Sequence, residues 1–258
     1  MFATYTHTDG RVLLLGKADA VRKPTDLQFA NYLAKDIPPA PASLSWYGTT
    51  TNWGMMANNT LGCCTISSKG HDLQVASQNT TGIITMTDQQ IIQYYSLWDG
   101  YVPGDPNTDN GGVISDVLQK WHQQRMIGHR LFAYSYINPT NKDHITKAIE
   151  LFGVTDVGLQ LPITAQSQTG GTWDVVSTSG DGQPGSWGGH DVTLGAYNTI
   201  GPIYITWGAL QQATWNFHFT YSDETWSLIM GMTLANRPTG FTGFSLAQLI
   251  SDQAIVAN

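Results

Sequence analysis

Two hydrophobic rhythms divide the chain, with the change near residue 153. Before it, apolar positions recur at helical spacing. Ile66, Leu73 and Val75 mark a helix over residues 65–79. Thr87-Asp88-Gln89-Gln90 has the form of a capping box and opens a second helix through Ile91, Ile92, Tyr95 and Leu97. Val113, Val117, Leu118 and Trp121 share one side of a third helix over 113–124, and 143–152 predicts a fourth. After residue 153 the runs are short and of period two. They predict strands over 154–161, 174–177, 190–197, 203–207 and 226–232, with a hairpin turn at 196–201. Residues 245–256 predict a closing helix. Residues 1–50 carry one short helical turn at 27–33, an extended proline segment at 36–41, and a strand or loop from 43. They read as an arm lying across the body. Helices first and strands second predict an α+β protein. Its body, 51–258, divides into a helical half (about 51–153) and an antiparallel β half (about 154–258).

Composition narrows the classes of partner. Only 12% of residues are charged, while nine Trp and eleven Tyr argue for a packed globule. The net charge of −7 rests on twelve Lys plus Arg, with no basic cluster longer than Arg22-Lys23. Nucleic acid and anionic membrane are therefore not expected partners. The apolar run Val12–Leu15 is too short for a Sec signal, so the expected location is the cytoplasm or a virion or other particle. The seven histidines show no ligand spacing, and Asp105-Pro106-Asn107-Thr108-Asp109 lacks the closing Glu of a calcium loop. No metal or cofactor is expected.

The chemistry concentrates at Asn58-Asn59-Thr60-Leu61-Gly62-Cys63-Cys64-Thr65, which holds the only two cysteines behind a glycine turn. A thiol at a helix start gains from the positive end of the helix dipole. Either cysteine could face a cleft. A side-chain amide such as Asn58 can donate to a developing oxyanion. His190 follows Ser186-Trp187-Gly188-Gly189 and opens a strand beside small residues, which suits a general base. His71, two helical turns beyond Cys64, is about 10 Å away by helical rise and reads as structural.

These blocks, in this order, resemble the papain-like cysteine peptidase superfamily. Asn58-x5-Cys64 resembles its Gln-x5-Cys, and Asp88–Tyr94 its second-helix segment. Asp109-Asn110-Gly111-Gly112 is similar to its Cys-Asn-Gly-Gly cleft wall. Gly188–Val192 is similar to its histidine segment, and Thr206-Trp207-Gly208 to its Ser-Trp-Gly. More narrowly, the chain resembles a group of bacterial and phage proteins with Asn-x5-Cys, Ser-Trp-Gly-Gly-His and Thr-Trp-Gly, in which an Asp precedes the nucleophile where Cys63 stands here. The resemblance implies a papain-like fold, its helical half carrying the cysteine and its β half the histidine. It implies Cys64 as nucleophile, His190 as base, Asn58 as oxyanion donor, and Gly111, Gly112, Trp187 and Trp207 lining the cleft. It puts Ile205 where the family has the Asn that orients the histidine, leaving Thr206 or Asp191 for that task. The implied activity is hydrolysis of a peptide or amide. The alternative is a weakly active or inactive papain-like component of a phage or other particle, or of a homo-oligomer.

Overall fold

A computed structural model describes residues 4–80, 82–235 and 242–256. A small antiparallel hairpin, β1 (Thr4–Thr6) and β2 (Val12–Leu14), begins the arm, and β3 (Leu44–Ser45) ends it. The helices α1 (Cys64–Gln78), α2 (Asp88–Asp99) and α3 (Ile114–Gln123) follow, then β4 (Leu131–Ile137) and α4 (Lys142–Phe152). The remainder is β5 (Thr155–Leu161), β6 (Thr172–Trp173), β7 (Gly188–Tyr197), β8 (Pro202–Thr206), β9 (Ala209–Ala213), α5 (Trp215–Tyr221), β10 (Ser222–Met230), α6 (Gly231–Ala235) and α7 (Leu246–Val256). One sheet runs β4-β10-β5-β7-β8-β9-β6, with β3 added to β7. Its pairings are antiparallel except β6 with β9.

Local chemistry accounts for the elements that place the site. The Thr87 hydroxyl accepts from the Gln90 N–H while the Gln90 side chain accepts from the Thr87 N–H, so the predicted capping box closes both ways and starts α2. Gly100 ends α2 in the left-handed region, at φ 78°. α1 is the central helix, buried from Cys64 to Ser77, with α2 and α3 on one side and β7 on the other. Its polar residues can be buried because they bond across to the sheet. The Thr193 hydroxyl donates to Ser68 O and Asp72 Oδ1, and the Ser68 hydroxyl donates to Asp191 Oδ2.

Three differences from the expected elements have physical causes. The alternation Leu131-Phe132-Ala133-Tyr134-Ser135-Tyr136-Ile137 forms β4 inside the helical half, because β10 crosses over to pair with it. The strand expected at 174–177 is instead the two residues of β6. Gln168 takes both the N–H and the C=O of Asp174, so neither can join a ladder. The strand expected at 226–232 begins earlier, at Ser222, and gives way to α6 at Gly231. β9 and α5 were also outside the expected set.

Candidate functional site

The turn before α1 is held by side chains as well as by its own backbone bonds, among them Asn58 N–H to Met55 O and Leu61 N–H to Ala57 O, each at 3.0 Å. Asp109 accepts the Gly62 N–H through both carboxylate oxygens, at 3.1 and 3.2 Å, and is itself bonded by the Tyr95 hydroxyl at 2.7 Å. Met56 and Ala57 sit at positive φ, 49° and 62°, a conformation that costs non-glycine residues energy. Asp88 Oδ1 secures it by accepting the Ala57 N–H at 2.9 Å. The result separates the two cysteines. Cys63 turns inward: its sulfur lies 3.7 Å from Met56 O and 3.4 Å from the Ser67 hydroxyl, and burial pushes its thiol up to about 12. Cys64, the first residue of α1, puts its sulfur against the backbone N–H of Asp191, the residue after His190. Burial, then the Asp191 carboxyl, raise the Cys64 thiol well above its ordinary value.

His190 is 1% exposed, and burial lowers its imidazole to about 3. Its Nε2 is 2.6 Å from the Thr206 hydroxyl. Nδ1 is buried and makes no hydrogen bond. Trp207 lies flat on the ring, with centroids 4.2 Å apart and planes 14° apart, and Trp187 stacks on Trp207 at 5.5 Å. Trp207 and Gly208 form the two-residue turn between β8 and β9, both at positive φ, which is the hairpin geometry that sets the indole over His190. Ile205, one residue before Thr206 on β8, faces the core and is fully buried. Asp191 does not reach His190. It is the next residue on β7 and points the other way, to Ser68 and Lys69.

Asn58 is buried, and one of its amide N–H groups donates to Leu61 O at 3.1 Å. An amide nitrogen carries two protons, so this bond uses one of the two. Gly111 donates its N–H to the Tyr95 hydroxyl at 2.8 Å. Gly112 packs so closely that a Cβ there would lie 2.5 Å from Asp99 Oδ2 and 2.6 Å from Thr65 Oγ1. Among the described residues no group of three or more His, Cys, Asp or Glu is placed to hold a metal ion. Nor is any helix among them long and apolar enough to cross a membrane.

The space between Gly112 and Gly189 is filled by the chain's own arm. Gly112 N–H donates to Gly16 O at 2.9 Å, and Ala18 N–H donates to Gly112 O at 2.8 Å. From the other wall, Gly189 O accepts the N–H groups of Gly16 and Lys17 at 3.3 and 3.1 Å. Trp207 Nε1 donates to Leu14 O at 2.9 Å. The fit at Gly16 is tight, since a Cβ there would lie 1.8 Å from Gly62 O.

Comparison with solved structures gives this arrangement its context. Xylellain, a cysteine protease from Xylella fastidiosa, superposes with a TM-score of 0.63 at 11% identity, covering 83% of this chain and 95% of its own. The Carica candamarcensis cysteine protease CMS1MS2, solved with E-64, gives 0.52 at 13% identity over 73% of this chain and 98% of its own. The fold is papain-like. A digestive procathepsin L 3 of Tenebrio molitor larval midgut gives 0.53 at 14% identity over 83% and 75% of the two chains. No family model and no curated sequence matches the chain. In this papain-like frame the helix that begins at Cys64 and the strand that carries His190 come from the two halves expected of them.

Two groups at the site were invisible to sequence reasoning. Lys69 is fully buried on α1, bonded to Asp156 and, at 2.9 Å, to Asp191. Burial pulls its ammonium down, but Asp156, Asp191 and Asp72 outweigh that and hold it charged. Lys17, in the arm, is equally buried against Asp223 and Glu224. The only available signal was scarcity: in a chain with twelve cations, a lysine among Ser67, Ser68 and Gly70 has no solvated face around it.

Proposed function

We propose that the chain is a thiol-dependent peptide or amide hydrolase, held closed by its arm. The observation that carries this reading is the ordering of His190. The ring is fixed by Trp207 and paired at Nε2 with Thr206, and in the tautomer whose Nε2–H donates to Thr206 the lone pair lies on the unpartnered Nδ1. A neutral imidazole so held can take the Cys64 proton and later return it to the leaving amine. Cys64 attacks the substrate carbonyl, and the oxyanion is met by the Cys64 N–H and the other side-chain N–H of Asn58. Thr206 is a positioning residue. With the arm in place the thiol and imidazole are both neutral, and no hydrogen bond joins them. Departure of the arm admits water, which favours the charged pair. The arm meets Asn58 through its backbone, Leu14 N–H donating to Asn58 O at 3.4 Å.

The tight fit at Gly16 supplies the test. Gly16→Ala drives a methyl into a backbone carbonyl, a strain of about 1–3 kcal/mol, and is expected to raise the rate of iodoacetamide reaction at Cys64 by roughly 5- to 150-fold. In that opened chain, His190→Ala is expected to slow the reaction. Labelling confined to Cys63, or equal Cys64 rates with and without His190, would sink the reading. Thr206→Val in the opened chain leaves Nε2 unpaired, a loss of about 1–3 kcal/mol, so Cys64 is expected to react roughly 5- to 150-fold more slowly. Thr206→Ser keeps the hydroxyl and is expected to restore the rate.

One observation favours a second reading, that of a papain-like structural component of a phage or other particle. Cys64 and His190 are each 1% exposed beneath the arm. On that reading the Gly16→Ala chain binds and cleaves nothing, and the protein is found in fixed proportion in a purified particle.

A further inference from the structure

Lys17 lies where the arm crosses the cleft, its backbone between Gly112 and Gly189, and its side chain leaves the cleft through a slot in the β half. The slot exists because β5 has glycine at 158. A Cβ there would lie 2.3 Å from Lys17 Cε and 2.7 Å from Glu224 Cγ. At its end the ammonium meets Asp223 Oδ2 at 2.8 Å, Glu224 Oε1 at 3.4 Å and Ala18 O at 3.0 Å. Both carboxylates are held from behind. Gln160 Nε2 donates to Asp223 Oδ2 and Trp226 Nε1 donates to Glu224 Oε2, each at 2.8 Å. Asp223 Oδ1 is buried without a hydrogen-bond partner, so the slot has an acceptor beyond those the ammonium uses. A guanidinium, with five donors, could engage it as well.

Two features separate this from an incidental buried ion pair. The slot opens into the cleft beside Gly189, the residue before His190. Its acidic groups belong to the body while the cation belongs to the arm, so removing the arm leaves a fully buried carboxylate, Glu224, and a partly exposed one, Asp223, without a counter-charge. Uncompensated buried charge is costly, and a cation from another chain relieves it.

We propose that Gly158, Gln160, Asp223 and Glu224 form a specificity pocket for a lysine or arginine side chain of a peptide substrate, and that Lys17 occupies it in the closed chain. This rests on the peptidase reading above. The same pocket would then serve closure and selection, the arm imitating the side chain the enzyme seeks.

The test uses the full-length Gly16→Ala chain and fluorogenic peptide amides. These carry Lys, Arg, norleucine, Leu or Glu at each of the two positions before the scissile amide. At one position the Lys and Arg peptides are expected to exceed norleucine and Leu by at least about tenfold in kcat/KM, as one desolvated charge pair warrants. Glu is expected to be poorest. Asp223→Asn, at a partly exposed carboxylate, and Glu224→Gln are each expected to bring the Lys-to-norleucine ratio toward one, with folding checked by circular dichroism. Cleavage with no basic preference at either position, or a preference that both variants retain, overturns the pocket alone. If no peptide is cleaved and Cys64 is inert to iodoacetamide, the peptidase reading falls and the pocket with it. Should Glu224→Gln fail to fold, the Asp223→Asn ratio decides.

Discussion

Cys64→Ala in the Gly16→Ala chain is expected to lose peptide-amide hydrolysis by about 10⁴-fold or more, the scale on which covalent catalysis fails without its nucleophile. Cys63→Ala in the same chain is expected to stay within a few-fold of its parent. The two thiols are adjacent in sequence, yet α1 starts between them. Cys63 is the cap and is turned to Met56 O and Ser67, inside the cluster of Trp53, Ile66 and Leu73. Cys64 is the first helical residue and faces β7. Turnover of a fluorogenic peptide amide, with mass-spectrometric mapping of an alkylated cysteine, reads both variants together. Equal turnover in Cys64→Ala and its parent would remove Cys64 from the mechanism.

The second large effect is on stability. Lys69→Met is expected to cost about 3–5 kcal/mol near neutral pH, the usual penalty for removing one partner of a buried ion pair. The methionine fills the space, but Asp156 and Asp191 lose the ammonium they share. Its pH dependence identifies the cause. Burial raises Asp72 to about 7 and Asp156 to about 6, and Lys69 is the strongest influence holding both down. Without it they rise further. A carboxyl whose folded value exceeds its unfolded value, about 3.9, stabilises most below the unfolded value, and that contribution is lost as pH rises through the folded one. The deficit of Lys69→Met is therefore expected to be larger at pH 8 than at pH 5. Urea unfolding of both chains at the two pH values measures it. A deficit under about 1 kcal/mol, or one equal at both pH values, would mean that the carboxylates do not depend on Lys69 for their charge.

The parts of the fold readable from sequence were those written in local chemistry. Thr87 and Gln90 lie three residues apart, and the capping box they announce is present. The apolar side of α3 is buried where Val117, Leu118 and Trp121 fall. β4 was equally periodic but stood between two helices, and only its pairing with β10, nearly a hundred residues on, makes it a strand. At the site, period two separated Thr206 from Ile205, and the structure sends the first to His190 and the second to the core. It could not decide between Thr206 and Asp191, because that depends on what lies across β7, and there Lys69 and Ser68 claim the aspartate. Lys17 and Asp223 meet across 206 residues, and no pattern in the arm points to its partner.

Trp207 ties two of these relationships into one. Its ring covers His190, its Nε1–H holds Leu14 O, and its own carbonyl accepts from Arg11 Nη1 at 3.0 Å. The arm is thus fastened to the cover of the imidazole, and that cover sits in a two-residue turn at positive φ, where few indole positions are allowed. A pull on the arm is delivered to the indole and through it to the ring beneath. On the reading proposed above, exposing the cleft and freeing the His190 ring would be one mechanical event, and a partner that tugged at residues 11–14 would disturb His190 without entering the cleft.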